Sequence, residues 1–182
     1  MIAIIKKVKH SISPEQLFMI SVLLVNGGNY LYNLILGRIL GPKQFADAAI
    51  LITFLLVLSF VAMTFQLTTA KFSVLFNHRV FKIFIGNIYK IAIITSIILG
   101  LLIVFNADYL QDIFKTSSKK MFTVFGLAVP FYFIMSVNRG VFQGKNMLQF
   151  LSISYQAEMI SRLLITISLL YFLNIESSLV IA

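Results

Sequence analysis

A glutamate and an arginine one helical turn apart sit in the middle of an otherwise apolar run, LSISYQAEMISRLLITISLLYFL, as Glu158 and Arg162. Glu preceding Arg at i,i+4 is the favourable order for a pair on one helix face. In hydrocarbon each charge costs at least about 2.5–3.5 kcal/mol, so residues of this kind need a partner or a wet surface. Tyr155, Glu158, Arg162 and Thr166 fall on one narrow helical arc and form a polar stripe. Two readings stand. The pair neutralises itself and packs the helix against a neighbour, or it lines a hydrophilic cavity in which Arg162 meets an anionic group.

A second stripe lies near the beginning of the chain, in LFMISVLLVNGGNYLYNLILGRILG from Leu17 to Gly41. Asn26, Asn29, Tyr30, Asn33 and Gly37 fall within an arc of roughly 100° on a helix. Amides facing lipid lose water and gain nothing, so this face must meet protein or a cavity. It either glues helices together or lines a path. Two such stripes on different helices favour a shared lumen.

Enzymatic constellations are missing. The sequence has no Walker-type phosphate loop, no Ser-His-Asp or Cys-His arrangement and no His/Asp/Glu cluster at metal spacing. Gly27-Gly28 is a packing or hinge pair, and His78 lies in a basic setting without a second ligand. No catalytic residue, metal or cofactor is expected, and the chain is read as a non-enzyme.

The composition says what holds these stripes. The 182 residues are 59% hydrophobic and 12% charged, whereas soluble domains are nearer half apolar and a quarter charged. A polytopic membrane protein is the comfortable class, all-α, with room for five spans at roughly 20 residues each. The net charge of +9 comes from lysines and arginines spread over loops, which argues against nucleic acid and for orientation in a bilayer. There is no cysteine, hence no disulfide and no lipidation site of that kind.

Residues 1–12 read as a short amphipathic arm at the membrane surface, and the apolar run that follows is too long for a signal peptide. Ser13-Pro14-Glu15-Gln16 is a helix start with N-cap, Pro at N1 and Gln at N3. The domain boundary is accordingly placed between an arm and helix start, 1–16, and a transmembrane bundle, 17–182. Spans are expected at about 17–40, 45–70, 84–105, 121–142 and 147–173, with a sixth beginning after Ser178. Lys71 to Lys82 is expected to lie in the interface, Lys90 to snorkel from the first turns of the third span, Pro130 to kink the fourth, and Arg139 to Lys145 to form a basic turn. With the N-terminus inside, nine basic residues fall on the inner side: Lys6, Lys7, Lys9, Lys71, Arg79, Lys82, Lys90, Arg139 and Lys145. Five fall outside, Arg38, Lys43, Lys115, Lys119 and Lys120, as do most acids. The excess supports a cytoplasmic N-terminus.

Leu36-Gly37-Arg38-Ile39-Leu40-Gly41-Pro42-Lys43-Gln44-Phe45 resembles the exit of the first helix in polysaccharide biosynthesis proteins. These are the lipid-linked oligosaccharide flippases of the multidrug/oligosaccharidyl-lipid/polysaccharide exporter superfamily. Ala46 stands where that pattern usually has glycine. Arg139-Gly140-Val141-Phe142-Gln143-Gly144 is similar to the family's R-G-x-x-Q-G turn, and Glu158 with Arg162-Leu163-Leu164 looks like its fifth-helix acid and arginine. The resemblance implies the N-terminal bundle of a multi-pass flippase in the cytoplasmic membrane of a prokaryote. Lipid-linked oligosaccharide would cross between leaflets by alternating access, against a C-terminal half that this chain does not supply. It makes Arg162 a diphosphate contact and Asn26, Asn29, Tyr30 and Asn33 hydrogen-bonding partners of sugars. An ion-coupled drug and toxin exporter of the same superfamily is the nearer alternative, although no acid lies between Leu17 and Leu40. A small structural membrane subunit is the other.

Overall fold

A computed structural model describes residues 13–172, and all of their regular structure is helical. The expected arm at 1–12 and the expected sixth start lie outside the described residues. Six helices follow one another: α1 (Pro14–Ile39), α2 (Gly41–Leu75), α3 (His78–Phe105), α4 (Ala107–Phe114), α5 (Lys120–Gly144) and α6 (Leu148–Phe172).

The start of α1 is dictated locally. Ser13 accepts from the Gln16 N–H at 3.3 Å, and the Gln16 side chain accepts from the Ser13 N–H at 3.0 Å. This capping box satisfies two backbone donors that a helix end leaves open, and Pro14 occupies N1, where no N–H is needed. The other end of α1 is equally local. Arg38 lies in the last turn, where its charge opposes the negative pole of the helix. Gly41 then takes φ +72°, the left-handed conformation that ends helices and disfavours any Cβ. Pro42 opens α2 at once, so the two helices meet at a corner rather than across a loop.

Four of the helices, α1, α2, α3 and α5, are long and apolar enough to cross a membrane. Their surfaces agree with that. Phe60, Ile83, Phe105 and Phe131 are 67%, 66%, 79% and 76% exposed, and Leu23 is 69% exposed. In water so much open apolar surface would drive association; in lipid it is the solvent-facing side. The 35 residues of α2 extend about 52 Å, against a hydrocarbon core of about 30 Å, so α2 must tilt or project. α6 is as long as α5 but carries Glu158 and Arg162 at its centre.

Three expectations about boundaries are corrected. Lys71 does not end the second span, because lysine is a good helix former whose stem lies along apolar surface. α2 runs on to Leu75, Phe76 and Asn77 make the turn, and α3 begins at His78 with Asn77 accepting from the Val80 N–H at 3.0 Å. The Lys71–Lys82 stretch is thus the end of α2, a two-residue turn and the start of α3. Because α3 starts at His78, Lys90 lies in its fourth turn, exposed and able to snorkel. Finally, Arg139, Gly140, Gln143 and Gly144 are helical. α5 reaches Gly144, and the turn is Lys145 to Met147, with Asn146 at φ +55°.

The core has two parts. α2, α3 and α5 form a tight trio around Leu51, Leu58, Ile103, Met121, Phe122, Phe125 and Phe133. α1 packs along α6, with Tyr32, Leu36 and Leu40 meeting Ala48 of α2 and Leu163 of α6. In the trio, α3 and α5 touch backbone to backbone. A Cβ on Gly100 would come 2.5 Å from the Gly126 carbonyl oxygen, and one on Gly126 would come 2.7 Å from that of Gly100. Proline at 130 has no N–H for the Gly126 carbonyl four residues back, and α5 remains one continuous helix through it. The Gly100 Cα hydrogen that a Cβ would replace is directed at the carbonyl that Pro130 leaves free, a weak but recurrent contact at helix interfaces.

Candidate functional site: a charged triad beside an asparagine-lined cavity

Between the α1–α6 pair and the trio lies space lined by four helices. One cavity of about 480 Å³ is bordered by Asn26 and Asn29 of α1, Tyr132 and Arg139 of α5, and Tyr155 and Glu158 of α6. A second, of about 310 Å³, is bordered by Asn29, Tyr32 and Asn33 of α1, Ser59 of α2, Tyr132, and Glu158 and Arg162 of α6. Asn29, Tyr132 and Glu158 belong to both.

The structure thus brings Asn26, Asn29 and Asn33 together with Tyr155, Glu158 and Arg162. Two expected residues are placed elsewhere. Tyr30 is 68% exposed and points away, since its position at the edge of the stripe falls on the outer side of α1. Thr166 is buried and lies 3.3 Å from the Tyr32 hydroxyl, holding α1 to α6 rather than facing open space.

The charged centre is larger than an i,i+4 pair. Arg162 Nη2 donates to Glu158 Oε1 at 2.6 Å, and Arg139 Nη2 donates to Glu158 Oε2 at 2.7 Å. One carboxylate therefore serves two guanidinium groups, and the cluster carries a net charge of +1. The two arginines differ in their surroundings. Arg139 is only 4% exposed along its side chain; its Nε donates to Ser154 Oγ at 2.9 Å and its Nη2 to the Ser154 carbonyl at 3.0 Å. The Tyr155 ring lies 4.1 Å from its Cζ, a cation–π contact that replaces lost hydration. Among the described residues Arg162 has one protein partner, and it keeps 32% of its side chain exposed. Arg139 is a clamp between α5 and α6; Arg162 is available.

Arg139, expected in a basic turn, is instead buried within α5. The signal was present. Tyr132, Ser136, Arg139 and Gln143 recur at i, i+4, i+7 and i+11, a polar stripe spanning about 60° of the helix. Gly140 and Gly144, which favour a turn in sequence, obscure it.

The rest of the R-G-x-x-Q-G stretch is a packing seam. A Cβ on Gly140 would strike the Gln66 carbonyl and sit 2.7 Å from Thr69 Cβ, and one on Gly144 would strike Ser73 and Ala70. Gln66 of α2 donates to Gln143 Oε1 at 3.0 Å and to the Tyr155 hydroxyl at 3.2 Å. Small residues let the backbones close up, and the amides then tie α2, α5 and α6 into one joint beside the triad. Gly37, in the first motif, packs towards the Phe45 ring, which a Cβ there would meet at 3.6 Å, while Arg38 is exposed. Together with Gly41 and Pro42 they shape the α1–α2 corner and lie away from the cavities. At the far end of α2, Asp47 is buried and accepts from the Ser117 N–H at 3.2 Å, anchoring the connection between α4 and α5.

Among the described residues no group of three or more His, Cys, Asp and Glu side chains could hold a metal. The arrangement offers fixed positive charge, amide donors and acceptors, and phenol hydroxyls in a space bounded by apolar walls. Comparison with protein-family models, with curated proteins and with solved structures finds no match.

Proposed function

We propose that this chain is one helical bundle of a flippase that moves a lipid-linked oligosaccharide across the cytoplasmic membrane of a prokaryote. The single observation that carries the proposal is Arg162, a half-buried guanidinium with one protein partner among the described residues, on the wall of an asparagine-lined cavity within an apolar bundle. A diphosphate matches a guanidinium in charge and in bidentate geometry. Asn26, Asn29 and Asn33 can each donate and accept, which suits sugar hydroxyls. The lipid tail stays in the bilayer along the exposed apolar flanks. The resemblance of the Gly37–Phe45 and Arg139–Gly144 stretches to flippase motifs points the same way.

In this reading α6 is the fifth crossing, its charges made tolerable by the triad. A second bundle closes the open side of the cavity, and the two move against each other in alternating access. The protein acts by binding and movement, without a chemical step. A drug-exporter role is less favoured, because α1 lacks an acid in its apolar span.

The test is export of surface polysaccharide in a strain that depends on this protein. Arg162→Ala is expected to abolish export while the membrane level of the protein is unchanged. Arg162→Lys, which keeps charge but loses the fork, is expected to restore only part of it. Normal export by Arg162→Ala would refute the proposal. The orientation has its own test. A reporter active only outside the cell, fused ahead of Ser13, is expected to be silent, and activity there would invert the topology.

A further inference from the structure

We propose that the corner joining α2 to α3, together with the end of α5, is a binding site for the headgroup of an anionic phospholipid. The proposal is independent of the transport reading. Phe72, Phe76, Phe81 and Phe84 form a continuous aromatic cluster at this corner, with centroid separations of 4.9 Å for Phe72–Phe76 and Phe72–Phe84, 5.3 Å for Phe76–Phe84 and 6.3 Å for Phe81–Phe84. Lysines bracket it: Lys71 Nζ lies 5.7 Å from the Phe72 centroid, and Lys145 Nζ lies 5.5 Å from that of Phe81. Arg79 and Lys82, three residues apart on the first turns of α3, are exposed beside them.

These four cations have no acidic partner among the described residues; the ion pairs there involve Lys119, Arg139 and Arg162. At the opposite end of the bundle Lys119 is held by Asp108 at 2.7 Å, and Asp112 lies on the same short helix. Glu15, in the first turn of α1, makes no ion pair with these cations among the described residues. The corner is thus a concentration of uncompensated positive charge.

Its apolar surroundings select the partner. Val74, Leu75 and Ile83 are 70%, 63% and 66% exposed next to the cations. A phospholipid satisfies both features at once, with its phosphate among Lys71, Arg79, Lys82 and Lys145 and its acyl chains over the exposed aliphatic side chains. A soluble anion would leave the apolar surface uncovered. The cation–π contacts hold Lys71 and Lys145 against the rings, so the ammonium groups stay near the cluster instead of dispersing into water.

The experiment uses the whole chain, purified in a neutral detergent and exposed to equimolar phosphatidylglycerol and phosphatidylcholine, with retained lipid read by native mass spectrometry. Phosphatidylglycerol is expected to be retained at least about fivefold over phosphatidylcholine, the effect of roughly one interfacial cation. Salt at about 0.5 M should reduce that preference, because the contacts lie at the screened surface. The double variant Arg79→Gln/Lys82→Gln should bring it close to unity, whereas Lys119→Gln/Lys120→Gln should leave it intact. Equal retention of the two lipids by the unaltered chain would overturn the proposal, and so would an equal loss in the Lys119/Lys120 variant. The first of these outcomes needs no variant, so a folding defect cannot hide the answer.

Discussion

Glu158→Leu is expected to destabilise the purified protein by about 3–5 kcal/mol, the cost of leaving a buried charge without its partner. The reason is Arg139. Its guanidinium is almost wholly buried, and Glu158 is its sole anionic contact among the described residues. Ser154 and Tyr155 solvate the cation but do not neutralise it. Removing both charges in Arg139→Met/Glu158→Leu should recover most of the loss, because the cost lies in the unpaired ion rather than in a missing attraction. Arg162→Met alone should cost less than about 1 kcal/mol, since Arg162 is a third exposed and its pair with Glu158 is partly screened. Thermal unfolding in detergent measures all three. A double variant no more stable than Glu158→Leu would show that Arg139 is not the group left stranded. A stability loss for Arg162→Met equal to that of Glu158→Leu would remove the distinction between clamp and available cation.

Gly140→Leu should have a comparable effect by a different route. The Cβ it introduces would collide with the Gln66 backbone carbonyl, and backbone inside a helix cannot swing aside as a side-chain tip can. α2 and α5 would have to separate, breaking the Gln66–Gln143 bond and loosening the joint next to the triad. Overpacking of this kind costs about 1–3 kcal/mol where neighbours can yield, and the upper end applies here. Far-UV circular dichroism should change little, because each helix satisfies its own backbone. Gly27→Ala is the control. Nothing lies within 4 Å of its would-be Cβ, so it should be neutral or stabilising by up to about 1 kcal/mol through helix propensity. Equal melting of Gly140→Leu and the unaltered protein would sink the packing argument.

Both predictions rest on residues that the sequence marked unevenly. Glu158 and Arg162 were legible as a pair because i,i+4 spacing is a property of one helix. The third member, Arg139, is nineteen positions before Glu158, and no helical period links residues on separate helices. It was also masked by Gly140 and Gly144, which suggest a turn in sequence and serve in the structure as the smooth face where α5 meets α2. Asn26, Asn29 and Asn33 were legible as a stripe, yet Tyr30, at the edge of the same arc, turns outward while Tyr32 turns in. The periodicity fixes a face to within a few tens of degrees, and the neighbours decide its edges.

The local features needed only the sequence. The capping box of Ser13 and Gln16, the left-handed Gly41 before Pro42, and the apolar lengths of the spans each depend on residues within a few positions of one another. Short-range backbone sterics and the solvation of apolar side chains are sufficient to determine them. Which helices touch, and therefore which charges share a carboxylate, depended on the tertiary structure. The pairing of α1 with α6 and of α2 with α5 is set by the fit of small residues against carbonyls and of rings against rings, across sixty residues or more. That fit is a property of surfaces brought together in three dimensions, and it is what places Arg139 under Glu158 and leaves Arg162 facing the cavity.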